Sequence, residues 1–417
     1  MVVPSNLPRL GILALDKMKT GWIFILSYMC FLIPLHQAQL PSANISDLSF
    51  KNMDFAMSLY RKISSYHDKN IFFSPLSIST SFTALLLASD GVTYEELLKG
   101  LNLKQLEKAN QPELIPRLFQ LLHENITQSG SLKLDEGMAL FVHPEFEVAK
   151  NFENQIKSFF DADIKTVNFT DTKGSVKFIN EYIKKKTEDK VTEIISNLDA
   201  ETQLMLINTI FFQGAWELPF NPNFTQSYPF YIDNYNVVQV PMMIQEDKFY
   251  MMDDVPLGAK VLKLPYKKGV SMLILLPNKG MDYTVIDDEI TASRFLTWVR
   301  ELQRTKLEVN MPRFKMEQSY SLHHLLPDMG MPSIFSNSAN LTKLSKDGGI
   351  KVSEVLHKAV IEVDETGTTA AAATAIGITP YSLPRIFTIN RPFFFFIYHE
   401  DTNTLLFMGR VIDPTQN

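Results

Sequence analysis

The residues best suited to catalysis are sparse in this chain. Its eight His are scattered without metal-ligand spacing. The one adjacent pair, His323-His324, would point about 100° apart on a helix, which does not make a shared metal site. No G-x-S-x-G elbow, H-E-x-x-H helix, P-loop or G-x-G-x-x-G turn occurs. The single cysteine is Cys30, near the N-terminus. An enzyme is therefore not expected, and neither is a metal. The unusual chemistry lies elsewhere: from Thr366 to Pro384, between Glu365 and Arg385, there is no charged residue. Read with a period of two, Thr368, Ala370, Ala372, Thr374, Ile376 and Ile378 share one face. No proline interrupts residues 366–379, so every backbone N–H there is free to join a ladder. The side chains are mostly too small for a core strand and too polar for a membrane span. The segment reads as an exposed loop that is also able to become a strand.

Elements must hold the two ends of that segment. Val360 to Val363 before it and Phe393 to Tyr398 after it are strongly strand-like, and Val261 to Leu264, Val270 to Leu276 and Lys306 to Asn310 follow the same pattern. The first half instead carries apolar residues at helical spacing over Asp54 to Ile63, Ser77 to Ala88 and Val176 to Thr187. Helices first and strands later predict an α+β fold. No linker or repeat appears after about residue 50, which favours one continuous domain over 51–417.

Residues Lys17 to Leu40 read as a secretory leader: Lys17 and Lys19 precede an apolar run from Trp22 to Leu35 that is too short to span a bilayer. Cleavage after Ala38 removes 1–38, with Met18 an alternative start, and leaves residues 39–50 as an N-terminal extension. Cys30 leaves with the leader, so the mature chain has no thiol and no disulfide. Sequons at Asn44, Asn125, Asn168, Asn223 and Asn340 agree with secretion. A net charge of −6 argues against nucleic acid or an anionic membrane as partner.

Six motifs recur in order: Asn70-Ile71-Phe72-Phe73-Ser74-Pro75-Leu76-Ser77-Ile78, Asn208-Thr209-Ile210-Phe211-Phe212-Gln213-Gly214-Ala215-Trp216, Val240-Pro241-Met242-Met243, Leu264-Pro265-Tyr266, His357-Lys358-Ala359 and Arg391-Pro392-Phe393. Together they resemble the serpin family over essentially the whole chain from about residue 50 to Pro414. The resemblance implies about nine helices around three β-sheets, with an exposed reactive-centre loop over 365–385. It also implies a serine protease inhibitor: a protease cleaves the loop as bait, and the loop then inserts into the central sheet with the acyl-enzyme attached. Family spacing counted from Glu365 puts the reactive bond at Tyr381-Ser382. Thr368, Ala370 and Ala372 become hinge residues that cost little to bury, whereas a charge there would cost several kcal/mol. Ser74, Ser77, Asn208 and His357 match the buried polar network under the sheet opening, and Glu365 and Arg313 match a pair across the top of the sheet.

Tyr381 suits an apolar, chymotrypsin-like pocket and suits a trypsin-like pocket poorly. Yet Ile378 to Pro384 is similar to the loop of a plasma serpin that controls activated factor X and activated factor XI, acting with protein Z, calcium and phospholipid. Carried over, that likeness assigns protein Z binding to Tyr235 and Asp288, with Asp68 and Asp233 nearby. The chain departs from that relative at Asn234 and Ser65. Heparin binding would have to use Lys99, Lys104 and Lys108 or the Lys184 to Lys186 run. Two alternatives stand beside this reading, a cofactor-independent inhibitor of chymotrypsin-like proteases and a non-inhibitory carrier. The expected protein is a secreted, extracellular monomer.

Overall fold

The local rules of helix formation set the centre of the fold. In the computed structural model, which describes residues 41–128, 133–367 and 384–416, Ser74 accepts a bond from the Ser77 N–H and Pro75 occupies the first helical turn. That is a helix start favoured by a capping oxygen and by a ring with preset φ. The helix that follows, Pro75–Ala88, is buried on nearly every side, as expected of one apolar all round. In chain order the first elements are α1 (Pro41–Ser64), β1 (Ile71–Phe73), α2 (Pro75–Ala88), α3 (Gly91–Gly100), α4 (Leu114–Gln128), β2 (Lys133–Val142), α5 (Lys150–Phe160), β3 (Asp163–Thr166), α6 (Thr172–Lys186) and β4 (Leu204–Gln213). Next come β5 (Gln226–Tyr231), β6 (Val237–Asp254), β7 (Ala259–Pro265), β8 (Val270–Pro277), α7 (Thr284–Asp287), α8 (Ala292–Glu301), β9 (Gln303–Pro312) and β10 (Phe314–Ser321). The chain closes with β11 (Val352–Val363), β12 (Arg385–Thr388), β13 (Phe393–His399) and β14 (Thr404–Val411).

The five-stranded sheet has the order β10-β11-β4-β2-β3. Its neighbours β11 and β4 are parallel, whereas β10 and β2 run antiparallel to them on either side. Ile179 and Ile183 of α6 cover this sheet through Phe141, Met205, Ile207 and Val360. The other sheet follows β1-β14-β13-β8-β7-β6-β9-β12, with β5 added to β6. Strands β8, β13 and β14 are buried at every position, and α2 packs between β14 and β4.

The α+β fold is as the sequence implies. Eight α-helices occur among the described residues. The three expected sheets form two hydrogen-bonded sets, because β6 is 18 residues long and serves two of them. It pairs β5 near its start, β9 along its middle and β7 at its end. The order of helices first and strands later also holds only loosely, since β2 and β4 lie inside the five-stranded sheet. Periodicity alone does not separate a buried apolar run such as β4 from a helix.

Candidate functional site

Strand β11 leads directly into the uncharged segment, and its exit is tightly held. Glu365 is buried and accepts bonds from Thr225 Oγ1 at 2.6 Å and from an Arg313 guanidinium N–H. Burial alone would raise its carboxyl, but these donors hold it below the ordinary range. The Glu365 carbonyl accepts from the Phe220 N–H at 2.8 Å. Trp216 secures the residues on either side: its Nε1–H donates to the Asp364 carbonyl at 2.9 Å and its backbone N–H to the Thr366 carbonyl at 3.1 Å. The Trp216 indole is itself stacked on Tyr266, with centroids 4.1 Å apart. Gly367 has φ of 103°, and a Cβ there would sit 2.3 Å from the Gly214 carbonyl oxygen. Only glycine fits that approach at that backbone angle. Beyond it, Thr368, Ala370, Ala372, Tyr381 and Ser382 lie outside the described residues, and the chain is described again where it enters β12 beside β9.

Below this exit, the seam between β11 and β4 carries a buried polar network. His357 of β11 and Asn208 of β4 are register partners, and Nδ1 of the ring lies 2.8 Å from Asn208 Oδ1. The Ser74 N–H donates to His357 Nε2 at 3.1 Å. Nε2 is therefore an acceptor, and Nδ1 carries the proton that Asn208 receives. Ser77 Oγ donates to the same Asn208 oxygen at 2.7 Å, and Asn208 Nδ2 donates to Ser81 Oγ at 2.8 Å. Ser74 Oγ donates to the Leu406 carbonyl. Complete burial pushes the His357 pKa down to about 3, so the ring is neutral at physiological pH. All four residues expected in the network meet here, joined by Ser81, which lies one turn along α2 from Ser77. The i to i+4 spacing of the two serines was the signal for it.

The candidate partner residues lie on exposed turns. Tyr235 is 94% exposed, at the tip of the β5–β6 hairpin. Asp233 supports that tip by accepting from the Tyr235 N–H at 2.7 Å, the Asn236 N–H at 2.8 Å and Asn236 Nδ2 at 2.7 Å. These bonds lower its carboxyl pKa. Its charge is thus engaged in shaping the turn. Asp68 and Asp288 are both exposed, after α1 and after α7 respectively. Among the heparin candidates, Lys104 is bonded to Glu95 at 2.8 Å and Glu107 at 2.7 Å, which offsets its charge. Lys184 and Lys186 pair with Asp189 and Asp163. Asn125, Asn168 and Asn223 are exposed, Asn340 is half-buried, and Asn44 falls in the first turns of α1.

Among the described residues no group of three or more His, Cys, Asp or Glu is arranged to hold a metal ion, and no helix is long and apolar enough to cross a membrane. Residues 50–414 match the family described as Serpin (serine protease inhibitor). The chain is 39% identical over 374 residues to human protein Z-dependent protease inhibitor, covering 89% of this chain and 84% of that protein. It is 36% identical over 365 residues to human plasma serine protease inhibitor, covering 87% of this chain and 89% of the other. The crystal structure of mouse protein Z-dependent protease inhibitor superposes with a TM-score of 0.84 at 36% identity, over 89% of this chain and 98% of that one. Human thyroxine-binding globulin complexed with thyroxine superposes with a TM-score of 0.83 at 31% identity, over 89% and 100%.

Proposed function

The chain belongs to the serpin family, and from that premise we propose that it is a secreted inhibitor of coagulation serine proteases that acts with protein Z. The observation that carries the inhibitory part is the seam: β11 and β4 are parallel neighbours, and the uncharged segment begins at the top of β11. One strand can enter between two parallel strands and run antiparallel to both, with a full ladder on each side. Thr366 to Pro384 has the reach and the small side chains to be that strand.

In this reading the serine of a protease attacks the Tyr381 carbonyl, the Tyr381–Ser382 peptide bond breaks, and the Ser382 amine leaves with the proton passed on by the protease's own base. The acyl-enzyme then has a free N-terminal arm. Thr368, Ala370 and Ala372 enter the seam first, after the His357–Asn208 bond gives way. Glu365 and Trp216 keep the seam shut until cleavage, and Gly367 supplies the pivot. Insertion gains a strand's worth of hydrogen bonds and apolar contact, and carries the protease with it.

Tyr381 is a weak ligand for an arginine-specific pocket. A tether through Tyr235, Asp288 and Asp68 to protein Z, itself assembled with calcium on phospholipid, raises the effective concentration of bait to about the mM range. The likeness to protein Z-dependent protease inhibitors supports coagulation proteases as targets, activated factor X with protein Z and activated factor XI among them. Asp233 enters as the turn former beneath Tyr235. The pairing of Lys104 leaves heparin with little support. The leader at 1–38 and the exposed sequons support an extracellular protein.

The test is incubation of the purified protein with activated factor X, activated factor XI and chymotrypsin, with and without protein Z, calcium and phospholipid, read on denaturing gels. A detergent-stable complex with activated factor X, formed much faster with protein Z, is expected. Tyr235→Ala is expected to abolish that acceleration and leave the chymotrypsin complex intact. A complex with chymotrypsin alone would replace this reading by the cofactor-independent one. Clean cleavage at Tyr381 without any complex would make the protein a substrate or a carrier.

A further inference from the structure

Asp68 and Asp288 sit on segments far apart in sequence, yet one buried side chain is bonded to the neighbours of both. Arg410 of β14 is 2% exposed. Its Nη2 donates to the carbonyl of His67 at 2.6 Å and to that of Lys69 at 3.1 Å, the residues on either side of Asp68. Its Nη1 donates to Asp287 Oδ2 at 2.6 Å, the residue before Asp288. The other Asp287 oxygen accepts from the Tyr60 hydroxyl of α1. The Tyr283 ring, just before α7, lies 5.4 Å from the guanidinium carbon. Asn70 reinforces the first segment through four bonds to the backbone of Ile412, Asp413 and Gln416.

We propose that Arg410 is the positioning residue of the partner site: by tying the peptide groups that flank Asp68 to the carboxylate beside Asp288, it holds both exposed acids on one face to receive a cationic surface of the partner. The inference rests on the protein Z reading above and adds the device that pre-organises it. Three acceptors on two segments need donors fixed in one plane, which a guanidinium supplies and an ammonium does not. Burial raises the Tyr283 phenol, with Arg410 opposing, and the charges of Asp287, Asp68 and Asp282 raise it further. The acids on both segments thus act on one locus. Holding two loops in their binding geometry before contact removes an ordering cost from association.

The experiment measures protein Z affinity of the full-length purified protein in a double-mutant cycle. Arg410→Lys keeps the charge and loses the fork; it is expected to weaken protein Z binding by about tenfold. Its rate of complex formation with chymotrypsin is expected to be unchanged. In an Asp68→Ala/Asp288→Ala background the same change is expected to cost nothing further, because the groups it aligns are gone. Wild-type affinity in Arg410→Lys, or an undiminished loss in the double-alanine background, would overturn the proposal. Should Arg410→Lys not fold, Tyr60→Phe removes one bond to Asp287 and runs the same cycle with an expected loss of about threefold. If Asp288→Ala and Tyr235→Ala both bind as wild type, the partner reading itself falls and takes this inference with it; if they lose binding and Arg410→Lys does not, only the inference falls.

Discussion

The two sheets of this molecule are built for opposite ends. The nine-stranded sheet is sealed by side chains: Phe72 stacks on Phe395 and Phe407 at 5.7 and 5.4 Å, Phe395 meets Phe314 at 5.7 Å, and Trp298 packs on Phe396 at 5.9 Å. Its central strands are antiparallel and buried at every position. The five-stranded sheet is joined at its middle by a parallel pair, with a histidine and an asparagine facing each other across it. Aromatic packing is lost all at once when a sheet parts, whereas a few hydrogen bonds can be exchanged for others of equal worth. One sheet is a platform and the other a seam.

That contrast can be broken most forcefully from the platform side. Phe395→Ala, at a fully buried position, is expected to destabilise the fold by about 3–5 kcal/mol, seen as a lower Tm. Held at an equal distance below its own Tm, it should form no more polymer than wild type. Glu365→Lys comes next: it removes the acceptor of Thr225 and Arg313 and places a second cation beside Arg313. A loss of about 3 kcal/mol is expected at the top of the seam, with ladders of polymer on native gels after mild heating, as a loop from one molecule enters the sheet of the next. Equal polymerisation by the two variants would erase the distinction between platform and seam.

Acid probes the seam more gently. The folded His357 has its pKa lowered to about 3 from 6.5, so between those values the unfolded ring binds a proton that the folded ring refuses. Stability is whole above about pH 6.5 and falls as the pH drops through that window, by at most about 1.4 kcal/mol per unit. Melting curves from pH 7 to 4 are expected to show that slope for wild type and a shallower one for His357→Gln. The smallest effect is expected from Tyr235→Ala. A side chain 94% exposed should change the Tm by less than about 0.5 kcal/mol allows, while the protein Z response is lost. A large fall in Tm would mean that Tyr235 serves the fold.

The loop ends were legible for a simple reason: absence of charge over Thr366 to Pro384 and strand-forming flanks are local properties, open to a reader of composition and period. The four network residues were found through motif likeness, and Ser81 was missed because the i to i+4 spacing that puts it on the face of Ser77 does not say which strand that face meets. The helix over Ser77 to Ala88 was visible, but its true start at Pro75 depends on the cap that Ser74 provides. Strands β2 and β4 were not anticipated, since apolar runs of their length read equally as helix.

By itself the amino-acid sequence determined the α+β class, the uncharged segment between Glu365 and Arg385, and the absence of any metal-ligand spacing. Local propensity, capping and patterning are written residue by residue, so they need no partner to be read. Only the tertiary structure decided that His357 stands opposite Asn208 across a parallel seam, that Gly367 fits against the Gly214 carbonyl, and that Arg410 joins the peptide groups flanking Asp68 to Asp287. Each of these joins residues far apart in the chain, and such pairings follow from strand register and close packing, which no stretch of the sequence carries alone.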